Sequence, residues 1–443
     1  MSKKIRDFLF IAFVVLFVIL TIFISLYAAG YKLNTNWPPR IGQLVQKTGM
    51  LILDSNPKGA NIIINGEEQK QYWLIDIGRS NITTPTKIKN LLAGEYTIRL
   101  EKEGYWPLEK KIKIESGQST FMEDAILFKR SLPLNLALCA PQNLSVSPDK
   151  KNIILSQDGQ VINLKNASTS DIANSKNTNI QWSKNGSQVL LGGKLINLDN
   201  GSSSYDLSFI GQAATNFYWD EANKKIYYQA NGEINCVITD KNSVSTILSG
   251  SNYAAYAIKG NLIYTIENVD GQNYLRIYGL DNNLLKSSTY LGNGDFHFRQ
   301  DEDHLNLYDA KQQALYLLSN YTEQPIVNKI RPVINWQWLN NDFLIWHNDF
   351  EIYSLNTSNN KQELIIRVSD PIVDIAWNKI KNYLVYANSQ QINLINLNLE
   401  KKEPINLLRA NSISNLVLDD KNQLLYFYAQ LGQQSGIYKL QLQ

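Results

Sequence analysis

Two cysteines, three histidines and three methionines in 443 residues leave this chain poor in soft metal ligands. Two thiols cannot build a cysteine-rich zinc site. Cys139 and Cys236 stand roughly a hundred residues apart in strand-like apolar stretches, which reads as two small buried hydrophobes, with pairing in an oxidising compartment as the alternative. The histidines, His297, His304 and His347, form no His-Glu-x-x-His pair and no other paired metal spacing, so they read as structural. Lys and Arg number 43 against 40 Asp and Glu, a net of +3 without a basic block, which excludes nucleic acid as a partner. Also missing are a Gly-x-Ser-x-Gly elbow, a phosphate-binding glycine loop and a Ser-x-Asp-x-Gly-x-x-Trp box. The expectation is a protein without catalytic residues, cofactor or metal.

Charge is absent again from Phe8 to Ala29, an apolar run of 22 residues. As a helix it reaches about 33 Å, enough to cross a ~30 Å hydrocarbon core. Lys3, Lys4 and Arg6 precede it, which by the positive-inside rule keeps residues 1–7 in the cytoplasm and sends everything after Gly30 outside. The rival, a cleaved signal peptide, calls for a shorter apolar region and an Ala-x-Ala-like site. With no cysteine nearby, a lipoprotein anchor is excluded. Residues 8–29 are therefore expected to be an uncleaved membrane anchor. Residues 30–48, with Trp37-Pro38-Pro39, read as a polar neck that lifts the rest of the chain off the membrane.

What the chain does have is a repeat. From residue 143 onward one pattern returns about every 39 residues: Asn or Asp, apolar, any residue, apolar, a polar turn, then β-branched and aromatic runs. It starts at Asn143, Asn179, Asn216, Asp295, Asn335, Asp374 and Asn415, with a weaker copy at Ala255-Tyr256-Ala257-Ile258. Each copy holds four apolar runs, which predicts four-stranded β-propeller blades, eight of them between Asn143 and Gln443, with seven as the alternative. The last copy ends at Ile437-Tyr438-Lys439-Leu440 without a fourth run, while Leu132–Leu138 is a strand-like run left over before the first copy. An open sheet edge is a liability, so Leu132–Leu138 is expected to be the outer strand of the last blade.

Between Gly49 and Phe128 apolar residues alternate with period two, interrupted by turn residues such as Asn65-Gly66, a hairpin signal. This predicts a small β-sandwich over 49–128. Ser55-Asn56-Pro57-Lys58-Gly59-Ala60, Asn65-Gly66, Thr84-Pro85, Gly94 and Gly104-Tyr105 resemble, in order and spacing, the PEGA domain family, with Lys58 in place of Glu. Members of that family are non-catalytic extracytoplasmic modules of envelope proteins, and the resemblance implies the same here. The turns Ser147-Pro148-Asp149-Lys150 and Ser183-Lys184-Asn185-Gly186, with Trp182-Ser183 and Trp377-Asn378, resemble the WD40-like repeats of periplasmic TolB-type propellers. Anchor, PEGA module and propeller together look like envelope proteins of candidate phyla radiation bacteria.

The fold expected is thus all-β: an N-terminal transmembrane helix, a PEGA sandwich and a propeller over 132–443. In a propeller the first strand of each blade lines the central channel. Asn143, Asn179, Asn216, Asp295, Asn335, Asp374 and Asn415 are therefore candidates for a channel ring that holds a cation or a polar group. The competing reading is that each bonds its own backbone at the start of its strand, in which case Asn would serve as well as Asp. Trp182, Trp219, Trp338 and Trp377 read as packing between blades, and Trp73, Trp106 and Trp346, outside that register, as candidates for surface contacts. The function expected is an extracytoplasmic binding or scaffold protein tethered to the cytoplasmic membrane, with an envelope protein or glycan as partner. A hydrolase or lactonase with a metal in the channel is the alternative.

Overall fold

The computed structural model describes the chain apart from residues 1–2, 34–44, 72–79, 141–143, 156–159, 165–167, 172–179, 192–193, 199–203, 211–213, 221–223, 239–242, 251–252, 302 and 320–322. It divides into two compact units, Met1–Leu132 with Gln441–Gln443, and Pro133–Leu440. The last three residues therefore belong with the first unit and not, as the sequence suggested, with the repeats.

In the first unit an unbroken apolar run forms the helix Lys3–Ala28, of which Ile5–Ala28 is long and apolar enough to cross a membrane. Gly30, with φ 82, stops it in the left-handed conformation glycine adopts freely. The expected neck does not extend the chain. Tyr31–Leu33 pairs antiparallel with Val45–Lys47, and Thr48 donates its N–H and its Oγ1 hydroxyl to Gly30 O, each at 2.7 Å. Residues 30 and 48 thus meet, because pairing satisfies backbone groups that an extended polar neck would leave to water. Trp37, Pro38 and Pro39 lie outside the described residues.

Two sheets follow. Leu108–Ile114, Gly94–Glu101, Asn61–Ile64 and Glu67–Glu68 make one, in that order; Ser119–Ile126, Gly49–Asn56 and Thr86–Leu91 make the other. Alternate side chains turn inward, so Leu51, Leu53, Ile62, Ile98, Leu100, Ile114 and Met122 form a dry core between the sheets. The motif residues have a mechanical reason. Ser55 Oγ donates to Pro57 O at 2.8 Å, the Ser55 and Thr84 hydroxyls meet at 2.5 Å, and Thr84 Oγ1 accepts Ala60 N–H at 3.0 Å. This buried tie fastens the Pro57–Ala60 turn to Thr84, just ahead of the strand Thr86–Leu91. Asn65 and Gly66 take the positive φ values, 48 and 86, of a tight hairpin. At the far end Leu442 is fully buried, its carbonyl held by Lys129 N–H at 2.9 Å.

In the second unit the described residues form eight four-stranded antiparallel sheets. Their first strands, which number the sheets here, are Leu144–Val146, Ile180–Trp182, Thr215–Trp219, Tyr253–Lys259, Phe296–Asp301, Asn335–Trp338, Asp374–Asn378 and Asn411–Asp419. Seven sheets use four consecutive strands. The eighth takes its outer strand from Leu134–Leu138, which pairs with Gln434–Gln441, as the leftover run implied. No sheet can bury both faces alone, and each packs on the next. Ile154 of sheet 1 meets Val189 of sheet 2, Leu190 of sheet 2 meets Trp219 of sheet 3, and Cys236 of sheet 3 meets Tyr256 of sheet 4. Ile277 then meets Phe296, Leu315 meets Trp336, and Ile352 meets Ile375. Finally Tyr426 and Ile437 of sheet 8 share a cluster with Ile153 and Leu155 of sheet 1. A series of antiparallel four-stranded sheets packed face to face in this way is the plan of a β-propeller.

Candidate functional site

One cavity of about 1340 Å³ draws on all eight sheets, always from a first strand or the turn after it. Val146 and Lys150 come from sheet 1, Gln181, Trp182 and Lys184 from sheet 2, and Asn216 to Trp219 from sheet 3. Sheet 4 adds Ala254, Ala255, Tyr256 and Lys259, and sheet 5 His297, Phe298, Gln300, Asp301 and Asp303. Gln337, Trp338, Lys379 and Asp420 complete it from the last three. The turn serines shape this lining. Ser147 Oγ accepts Asn152 N–H at 2.9 Å, and Ser183 Oγ accepts Gln188 N–H at the same distance, so each turn is held by its own side chain. Lys150 Nζ donates to Leu418 O at 2.6 Å, tying sheet 1 to sheet 8.

Among the described residues, the repeated Asn and Asp positions do not all face this space. Asn143 and Asn179 lie outside the described residues. Of the other five only Asn216 lines the cavity. Asn216 and Asn415 have φ 51 and 54, a left-handed conformation that Asn tolerates better than most residues. Asn335 Oδ1 accepts its neighbour's Trp336 N–H at 2.8 Å, and Asp374 Oδ1 does the same for Ile375 N–H at 2.8 Å. Those are the own-backbone bonds of the competing reading.

The same two side chains also bridge sheets. Arg299 Nη1 donates to Asn335 Oδ1 at 2.7 Å, Asn335 Nδ2 to Asp374 Oδ1 at 3.0 Å, and Leu416 N–H to Asp374 Oδ2 at 2.8 Å. One chain of bonds therefore clasps sheets 5, 6, 7 and 8. Burial pushes the Asp374 carboxyl above its ordinary value, against the Leu416, Ile375 and Asn335 donors that lower it. Asp295 is different: it is exposed, and its Oδ1 meets His297 Nε2 at 3.0 Å. Among the described residues no group of three or more His, Cys, Asp or Glu side chains is placed to hold a metal ion.

The aromatic expectations divide. Trp219, Trp338 and Trp377 are buried between sheets, whereas Trp182 is only half-buried, its ring fixed by Nε1–H to Ser145 Oγ at 2.8 Å. Trp346 is a correction: 2% exposed, it stacks on Tyr353 in the core shared by sheets 5 and 6, because its strand, Phe343–His347, is flanked on both sides. Trp106 lies under the Arg130 guanidinium, 4.5 Å from the ring centre, and Trp73 falls outside the described residues. His304 stacks flat on Trp338 at 3.6 Å, and burial lowers its pKa, as it does for the fully buried His347.

Two polar centres were not foreseen. One is Arg299, which also bonds Asp301 at 2.8 Å and lies 4.4 Å over the Trp336 ring. The other is the buried Glu267 of sheet 4, held by Arg276 at 2.7 Å, Tyr278 at 2.7 Å and Thr265 at 2.9 Å. The available signal for Glu267 was one charge inside the mostly apolar strand Leu262–Val269.

Residues 48–124 match the family model of the PEGA domain. No curated protein matches the chain. Solved structures similar to it include the C-terminal WD40 domain of Sif2, 11% identical, covering 70% of this chain and 98% of that one with a TM-score of 0.45. The Dos1 propeller is 10% identical, with coverages of 70% and 94% and a TM-score of 0.48. A eukaryotic initiation factor is 13% identical, with coverages of 71% and 94% and a TM-score of 0.49. The propeller plan of residues 133–440 rests on their own sheet order and packing.

Proposed function

We propose that this chain is a membrane-tethered binding protein of the cell envelope, whose sheets close as an eight-bladed propeller and present a ligand site in the central channel. The observation that carries this reading is the single cavity lined from all eight sheets. The contact of sheet 8 with sheet 1 supports closure. The helix Ile5–Ala28 is the anchor, and Lys3, Lys4 and Arg6, all ahead of the uncharged run that starts at Phe8, favour a cytoplasmic N-terminus. The PEGA domain then stands next to the outer membrane surface, because Thr48 is bonded back to Gly30. The chain acts by display: the helix fixes position, and the propeller supplies contact with an envelope protein or glycan. It is not an enzyme on this reading.

Topology tests it. Protease added to spheroplasts of a bacterial host expressing the full chain should digest the propeller and leave a small fragment that carries the helix. Protection in intact spheroplasts, with digestion only after lysis, would overturn the proposal.

A further inference from the structure

We infer that the fourth sheet forms a bay in the channel wall that takes a neutral saccharide unit, an inference that rests on the binding reading above. The repeat is weakest here. Where most other copies begin with Asn or Asp, sheet 4 has Ala255, and it lines the cavity with Ala254 and Ala255. Small side chains between larger ones leave a recess. Its flanks are aromatic, with Tyr218 on sheet 3 and Phe298 on sheet 5, both half-buried and both lining the cavity.

Each flank is braced from behind. Tyr218 leans on Tyr256 with ring centres 5.7 Å apart, and Phe298 meets Tyr264 edge-on at 6.5 Å. Tyr218, Ala255 and Phe298 pack against one common cluster, so the flanks and the floor belong to one recess.

The polar groups around it suit hydroxyls. Burial holds the Tyr218 phenol protonated, with the Asp301 charge adding to the effect, so it is a neutral donor. Asp301 Oδ2 is buried without a partner, an acceptor whose desolvation a ligand hydroxyl would offset. Gln181, Gln300 and Gln337 add amides to the cavity wall. Sugars present apolar C–H faces to aromatic rings and hydroxyls to such groups at their edges.

Among the described residues the charges of the lining nearly cancel, which suits a neutral ligand. Lys150, Lys184, Lys259 and Lys379 are nearly balanced by Asp301, Asp303 and Asp420. Size admits an oligomer, since about 1340 Å³ exceeds the roughly 300–1,000 Å³ typical of a pocket for one small molecule.

The test uses the full chain in detergent and its own fluorescence, since Trp182, Trp219 and Trp338 line the cavity. Probes are neutral tetrasaccharides of N-acetylglucosamine and of glucose, and tetraglutamate as an acidic peptide. At least one tetrasaccharide should give saturable quenching. Ala254→Trp, at an exposed position, should weaken it about tenfold or more while leaving the thermal midpoint unchanged. The inference is overturned if neither sugar binds at about 10 mM, if Ala254→Trp binds as wild type does, or if only tetraglutamate binds. Envelope fractions that still bind the chain in those cases would leave the broader binding reading intact and remove only the bay.

Discussion

The pairing that completes sheet 8 depends on one residue without a side chain. Gly436 lies opposite Leu138 in the pairing of Gln434–Gln441 with Leu134–Leu138. A Cβ at that position would overlap the carbonyl oxygen of Ala137 and press on Leu138 Cα and Asn135 Nδ2. The Asn135 amide can swing aside, but two backbone atoms cannot move without shifting the closing strand. Overpacking of this kind costs about 1–3 kcal/mol.

A unit of roughly 300 residues unfolds with an entropy near 0.6 kcal/mol/K, so a loss of about 2 kcal/mol lowers its midpoint by about 3 °C. Gly436→Ala should therefore melt about 3 °C below wild type by circular dichroism. If the loss falls on the closing strand alone, limited proteolysis between residues 132 and 139 should quicken by up to about thirtyfold. Ser435→Ala is the control, because Ser435 holds Cys139 N–H at 3.1 Å through its backbone carbonyl. A Gly436→Ala midpoint within about 0.5 °C of wild type, or an equal fall in the control, would refute closure by this strand.

Thr84→Val should cost the first unit about 2 kcal/mol, because the buried Ser55 hydroxyl and Ala60 N–H lose a partner; urea titration of residues 1–443 followed through that unit reads it. His347 is held by burial below its ordinary pKa of 6.5, so the folded chain binds fewer protons than the unfolded one. Stability should then fall as pH drops below about 6.5, and His347→Phe should reduce the fall in midpoint between pH 7 and pH 5. Asp374 has the opposite sign: its carboxyl, raised above 3.8 by burial, contributes stability at low pH that is lost as pH rises through the folded value. Asp374→Asn, neutral throughout, should flatten that part of the midpoint-against-pH curve; an unchanged curve would show that the side chain is not buried as described.

The parts of this fold that repeat were legible, since periodicity reports burial directly. The Leu134–Leu138 strand was found by counting runs, because a missing fourth strand and a spare one leave little choice. Composition says that residues 30–48 are polar but not that Gly30 and Thr48 bond each other. Trp346 failed for a related reason: its register excluded the first strand but did not reveal a strand flanked on both sides. Arg299 and Glu267 were passed over because a single charge in an apolar strand has no local signature of its partner, and Asn335 and Arg276 supply those partners through the fold.

The channel positions show why a repeat and a site are read differently. A residue that recurs in every unit solves a problem that every unit has. Asn335 and Asp374 clasp neighbouring sheets, and Asn216 and Asn415 let the backbone turn left-handed. Function requires asymmetry, since a ligand meets one part of the wall and not eight equivalent parts. The position where the repeat fails is Ala255, which lines the cavity with Ala254 on the sheet between those that carry Tyr218 and Phe298. In a chain of this kind the degenerate copy is the informative one: packing keeps the other copies alike, and a copy that departs from them while its sheet still forms, as Tyr253–Lys259 does, is free to be shaped by what it binds.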